Sequence, residues 1–311
     1  MIPFISQLPE SEQIIWIAAL NKALPDELIV ASTDMTLADK KQCQLAIVAN
    51  PNPAHLAEFE NLIWLHSVWA GVEHLITSLA DSPIEIVRLI DPMLRQTMAE
   101  AVLAWSLYLH RDMPRYAKQQ SNKHWLQHQY MPASERRIGI LGLGELGQES
   151  AKQLKQNGFN VMGWSRNKKL LADITTYSGE QGLAEMLAQS DILVCLLPLT
   201  PATQGLINEQ LLVKLPKGSA VINFARGAII NTEDLLNTLN SQHIDHAVLD
   251  VFEHEPLSEH SELWQNPNIT ILPHISAPTN LKSACQIVAK NIIQFRQSGQ
   301  LPVCVDKKTG Y

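Results

Sequence analysis

Apolar residues follow two periods along this chain. ESEQIIWIAALNKAL (10–24) reads as an amphipathic helix, while ELIVA (27–31), LAIVA (45–49) and LIWLHSV (62–68) are short β-rich runs that read as strands. Beyond Asp91 and Pro92, MLRQTMAEAVLAWSLYLHR (93–111) runs without glycine or proline as far as Pro114, long enough for a helix that bridges two domains. The alternation then restarts. RRIGILG (136–142) predicts a strand, Glu145 to Asn157 a helix and Phe159 to Trp164 a second strand. Four more strands follow at DILVCLL (191–197), SAVINFA (219–225), HAVLDVF (246–252) and NITILP (268–273), and a last helix runs from Asn280 to Gln297. Strands separated by helical segments predict parallel sheets, and six in succession match a doubly wound sheet, so the fold class is α/β.

Composition narrows the function classes. With 311 residues and 46% apolar content the chain can bury a core in each of two domains. Its 24 basic and 31 acidic residues are interspersed and sum to −7, which argues against a general nucleic-acid or membrane-surface binder. The longest apolar run, ILVCLLPL (192–199), has the length of a strand and falls short of a membrane span. MIPFISQLPESEQ lacks the basic start and cleavage site of a secretion signal, and Cys43, Cys195, Cys285 and Cys304 lie far apart with no metal-ligand spacing. A cytoplasmic protein with reduced, buried thiols and no metal is expected.

Gly142, Gly144 and Gly147 directly follow an apolar strand and open a helix, the context that a dinucleotide-binding loop requires. Gly142 permits the tight turn, Gly144 the close approach of a pyrophosphate and Gly147 tight helix–strand packing, and the first helical residues, Glu145 and Leu146, offer N–H groups to the phosphates. Such sites commonly end their second strand with an acid that holds the adenine ribose hydroxyls. Here the strand ends in Ser165, Arg166, Asn167, Lys168 and Lys169. An acid would repel a 2′-phosphate, whereas Arg166 can pair with it through its planar fork and Ser165 can donate a hydrogen bond. The basic strand end favours NADP(H), with NAD(H) possible.

Three ionisable residues follow later strands: Arg226 after SAVINFA, Glu255 shortly after HAVLDVF and His274 after NITILP. In a parallel sheet they share the carboxyl edge, where ligands bind. Beside a nicotinamide they suit reduction of a 2-keto acid. Arg226 holds the carboxylate and polarises the carbonyl, His274 gives a proton to the carbonyl oxygen, and Glu255 holds the imidazole ring and favours its charged form. His243, His246, His254 and His260 fit no zinc spacing and read as solvated loop residues.

The segments ILGLGELG, LLPLTPATQGLIN, LPKGSAVINFARG, VLDVFEHEPL and LPHISAPT, in this order, resemble the D-isomer-specific 2-hydroxyacid dehydrogenase family. The resemblance implies a Rossmann dinucleotide-binding domain over 99–280, and a smaller flavodoxin-like substrate domain built from 1–98 plus 281–311. It makes Arg226 the substrate-binding arginine, His274 the acid/base and Glu255 its partner. It also places Asp250 on the nicotinamide carboxamide and Leu197, Pro198, Thr203 and Ala225 along the cofactor. In WAGVEH (69–74), backbone N–H groups of Ala70, Gly71 and Val72 are implied to meet the substrate carboxylate.

Within the family the chain is most similar to the glyoxylate/hydroxypyruvate reductase A group, through its length, its WSR strand end, SNKHW (121–125) and a closing Gly-Tyr. That likeness implies NADPH as reductant, glyoxylate or hydroxypyruvate as substrate, and a homodimer formed through the nucleotide-binding domain around Met93 to Tyr130. Trp69, where the family often has glycine, and Ala49-Asn50, in place of a more aromatic segment, depart from the group; Trp69 either packs between domains or lines the pocket. Two other readings share the fold: a dehydrogenase for a different D-2-hydroxy acid, and a nucleotide-sensing scaffold. Glu255 stands where formate dehydrogenases of this fold carry glutamine, and the presence of Arg226, Glu255 and His274 favours an enzyme over a scaffold.

Overall fold

The structure is a computed structural model and describes residues 1–310. It divides into two compact units: Met1–Met93 together with the chain from Thr279 onward, and Leu94–Pro278. The first division falls inside the long predicted helix.

In the first unit, β1 (Ile2–Ser6), α1 (Glu10–Ala23), β2 (Ile29–Ala31), α2 (Leu37–Gln42), β3 (Leu45–Ala49), α3 (Pro53–Leu56), β4 (Trp64–Ser67), α4 (Glu73–Ser78) and β5 (Glu85–Val87) alternate. The strands form one parallel sheet in the order β2-β1-β3-β4-β5, the flavodoxin-like arrangement. Successive residues of β3 face opposite ways: Leu45, Ile47 and Ala49 join one apolar cluster, Ala46 and Val48 the other. Both faces are therefore covered, which is why the strand reads as an unbroken apolar run.

The second unit is entered through α5 (Pro92–His110). There follow α6 (Met113–Ser121), β6 (Arg137–Leu141), α7 (Glu145–Gln156), β7 (Asn160–Trp164), β8 (Thr175–Tyr177), α8 (Gly179–Leu187), β9 (Ile192–Cys195), α9 (Glu209–Leu212), β10 (Ser219–Asn223), α10 (Thr232–Asn240), β11 (Ile244–Leu249) and β12 (Ile269–Ile271). Seven parallel strands run in the order β12-β11-β10-β9-β6-β7-β8, so the strand order reverses between β6 and β9. That switch point is where doubly wound sheets bind ligands. Here too the faces alternate, with Ile138, Ile140, Val194 and Ile222 on one side and Leu141, Leu193, Cys195 and Val221 on the other. The chain closes with α11 (Leu281–Ser298), which returns to the first unit. Its Asn280 cap accepts from the Ser283 N–H, and Gly299 ends it in the left-handed region at φ 69°.

Three strands escape the periodicity. β1 follows directly on the first residue and contains a proline, β5 has three residues, and β8 is a three-residue edge strand, TTY, with little apolar content. The second sheet thus has seven strands where the pattern suggests six. α1 also differs from its amphipathic reading: it buries Trp16 and Leu20 but leaves Ile14 and Ile15 exposed. Among the described residues, no helix is long and apolar enough to cross a membrane.

Candidate active site

The glycine loop joins β6 to α7. Gly142 has φ +100°, a conformation L side chains rarely adopt, and a Cβ there would sit 2.7 Å from Leu196 O. A Cβ at Gly147 would lie 1.8 Å from Gly142 O, so only glycine lets α7 pack this closely on the loop. Gly144 caps α7, and a Cβ there meets no protein atom within 4 Å. An open approach to the unsatisfied N–H groups at the start of a twelve-residue helix, where Glu145 and Leu146 stand, fits a pyrophosphate. The Glu145 carboxylate is ion-paired with Arg95, which offsets a negative charge at that end.

At the end of β7 the basic cluster is exposed from Arg166 to Lys168. Lys169 turns back, its Nζ donating to Leu143 O at 2.6 Å, so the cluster is tied to the glycine loop. Ser165 lies within the turn that follows β7. It is 8% exposed and its hydroxyl donates to Asn167 O at 2.8 Å, which closes the turn that presents Arg166. Beyond β9, Leu197 is buried and Thr203 folds its loop, accepting from Thr200 N at 2.8 Å and donating to Pro198 O at 2.6 Å.

Arg226, Glu255 and His274 follow β10, β11 and β12 at the carboxyl edge. His274 Nδ1 lies 2.7 Å from Glu255 Oε2, and Glu255 Oε1 accepts from Phe252 N at 2.9 Å. The pair is accessible, with side-chain exposures of 54% for His274 and 33% for Glu255. An ionised Glu255 can only accept, so Nδ1 carries a hydrogen and Nε2 is the nitrogen left to exchange a proton. His274 has φ +55°, a left-handed backbone that costs a residue with a Cβ about 1–2 kcal/mol. Asp250, 2% exposed, offsets this by accepting from Ile275 N at 2.7 Å and Ser276 N at 2.9 Å. Arg226 folds its guanidinium onto its own turn, Nη1 donating to Ala225 O at 2.6 Å.

The first unit presents Ala70, Gly71 and Val72 between β4 and α4, with the Val72 side chain buried. Trp69 packs within this unit, its ring edge-on to Trp16 at 5.6 Å, and Leu89 N donates to its carbonyl. Asn50, after β3, has φ +47°.

The histidine reading needs correction at one position. His246 lies in β11, is 4% exposed and shares a 2.8 Å hydrogen bond with Thr270 Oγ1, and burial lowers its pKa to about 4. From His246 to Leu249 this strand is buried throughout, its polar residue included. His243 is half-buried against Leu215 O, while His254 and His260 are exposed. Among the described residues no three His, Cys, Asp or Glu side chains are arranged to hold a metal. Cys195, at the end of β9, is buried and its thiol is pushed up to about 12, which keeps it from acting as a nucleophile.

Comparison with known proteins agrees with this arrangement. Residues 103–276 match the family model for the NAD binding domain of D-isomer specific 2-hydroxyacid dehydrogenases. A solved D-isomer specific 2-hydroxyacid dehydrogenase from Xanthobacter autotrophicus, in complex with NADPH and MES, is 34% identical with a TM-score of 0.92, over 100% of this chain and 99% of that one. The NADPH-dependent glyoxylate/hydroxypyruvate reductase of Sinorhizobium meliloti, in complex with NADP and sulfate, is 32% identical with a TM-score of 0.90 over 100% of both chains. A probable 2-hydroxyacid dehydrogenase from Rhizobium etli, in complex with NADP, HEPES and tartaric acid, is 30% identical with a TM-score of 0.90, over 100% of this chain and 99% of that one. A family model matched over more than half the sequence and relatives similar along its whole length make this chain a member of the D-isomer-specific 2-hydroxyacid dehydrogenase family, NAD(P)-dependent oxidoreductases.

Proposed function

We propose that this protein is an NADPH-dependent reductase of small 2-keto acids, with glyoxylate and hydroxypyruvate as substrates. The observation that carries the reading is the Glu255–His274 hydrogen bond, set at the same sheet edge as the glycine loop and Arg226. NADPH, when bound, supplies a hydride to the carbonyl carbon. Gly142, Gly144, Glu145, Leu146 and Gly147 hold its pyrophosphate. Leu197, Pro198, Thr203 and Ala225 line its course, and Asp250, whose oxygens each keep a second lone pair, takes the carboxamide. Arg226 grips the substrate carboxylate and polarises the carbonyl. His274 gives the proton on Nε2 to the carbonyl oxygen, and Glu255 steadies the resulting imidazole through Nδ1.

The preference for NADPH rests on Arg166 and its turn. The Sinorhizobium relative supports both the cofactor and the keto acids, being named a reductase of these substrates and solved with NADP. In Arg166→Asp we expect NADPH to bind about 10- to 100-fold more weakly, because a charged hydrogen bond becomes a repulsion, and NADH to change far less. Equal losses for both cofactors would remove the phosphate contact. The exposed apolar residues Trp125, Leu126 and Tyr130 support a homodimer formed through the nucleotide-binding unit. The purified protein should consume NADPH with glyoxylate or hydroxypyruvate, followed by loss of NADPH absorbance. No consumption with any small 2-keto acid would overturn the reading.

A further inference from the structure

One buried side chain holds the turn on which Arg226 stands. Asn223, the last residue of β10, is 1% exposed. Its Nδ2 donates to Arg226 O at 3.0 Å and its Oδ1 accepts from Ala225 N at 3.1 Å. Its own carbonyl accepts from Asp250 N at 3.1 Å, beyond the end of β11. A primary amide carries an acceptor and a donor on one planar group, and both ends are used here. The guanidinium of Arg226 then donates to the peptide between the two that Asn223 holds, the one carrying Ala225 O, at 2.6 Å. Three successive peptide groups are thus tied to one another, and the position of the fork follows from the turn. The next residue, Gly227, completes the coupling. A Cβ there would sit 1.9 Å from Phe252 C and 2.2 Å from Glu253 N, so the arginine turn lies directly against the backbone leading to Glu255.

We propose that Asn223 is the positioning residue of Arg226: it sets where the guanidinium meets the substrate carboxylate, and it touches neither substrate nor cofactor. The inference rests on the substrate-binding role given above to Arg226. Small displacements of a positioned group cost up to about 100-fold in turnover. Asn223→Asp keeps the size and the acceptor but removes the donor to Arg226 O. Asn223→Ser, neutral and shorter, cannot span both peptides and serves where a buried carboxylate prevents folding.

Two measurements test the proposal. In steady-state kinetics with glyoxylate, the KM for glyoxylate should rise about 10- to 100-fold while NADPH binding, followed by its fluorescence, is unchanged. In ligand-free, 15N-labelled protein, the Nε–H resonance of Arg226, identified by its loss in Arg226→Lys, should shift in both variants. Unchanged KM with an unshifted resonance would overturn the proposal, as would a loss of NADPH affinity in step with the rise in KM. The resonance needs neither keto acid nor cofactor. If the parent fails to reduce glyoxylate, the proposed function falls, while the shift still decides whether Asn223 positions Arg226.

Discussion

His246 and His274 belong to adjoining parts of one sheet and have opposite chemistry. His246 sits inside β11, covered on both faces, with its ring against Thr270; burial holds it neutral down to about pH 4. His274 stands just beyond β12, exposed, on a left-handed turn clamped by Asp250 and with Glu255 on its Nδ1. The imidazole is the same in both. Within a strand the sheet removes solvent and with it the charged form. Past the strand end, two carboxylates that follow the neighbouring strand β11, Asp250 and Glu255, surround the turn, and the ring stays exposed.

Exchanging the ring for an amide at each place should separate the two roles. The largest effect is expected in His274→Gln, where glyoxylate reduction should fall on the order of 10²–10⁴-fold with NADPH binding retained; a loss under tenfold would mean that another group supplies the proton. Glu255→Gln should cost about 10- to 100-fold, the size of a charged hydrogen bond. NADPH binding should be retained, since Glu255 is proposed to act on His274 alone. Parental turnover in Glu255→Gln would show that the 2.7 Å bond does not contribute to the reaction.

The smallest effect on turnover belongs to His246→Gln, which keeps a partner for Thr270 and should reduce glyoxylate like the parent. Its effect is on stability. His246 titrates at about 4 when folded and 6.5 ordinarily, so the unfolded chain binds the extra proton between those values. Stability is therefore intact above about pH 6.5 and is lost as pH falls toward 4, by on the order of 3 kcal/mol for a shift of this size. Denaturant melts of His246→Gln across this range should show a shallower loss than the parent. Parallel curves would mean that His246 is not held neutral in the folded protein. His66 in the first unit, buried beside Asn291 and also lowered to about 4, adds the same tendency to the parent and the variant alike.

Much of this contrast could be read from the sequence. The apolar runs mark the long strands, and the position of Arg226, Glu255 and His274 just after them marks the carboxyl edge. β1 and β8 escape the pattern because Pro3 interrupts the one and TTY gives the other little apolar content, and β5 is a three-residue strand. The spacing of the histidines alone does not separate His246 from the other three. The apolar neighbours in HAVLDVF signal a strand buried on both faces, and that signal places His246 in the core. At Asn223 the sequence does carry a signal, since an asparagine ending an apolar strand, three residues before an arginine, marks a turn. That the Ser165 hydroxyl closes its own turn, and that Trp69 rests on Trp16, depends on rotamers and long-range packing that no local pattern encodes.

Turnover of glyoxylate with NADPH by the parent, His246→Gln and His274→Gln, assayed side by side at neutral pH, places both histidines in one experiment. The expected result is parental activity in His246→Gln and near-complete loss in His274→Gln. Comparable activity in all three, or a loss in His246→Gln as deep as that in His274→Gln, would contradict the assignment of proton transfer to the carboxyl edge of the sheet.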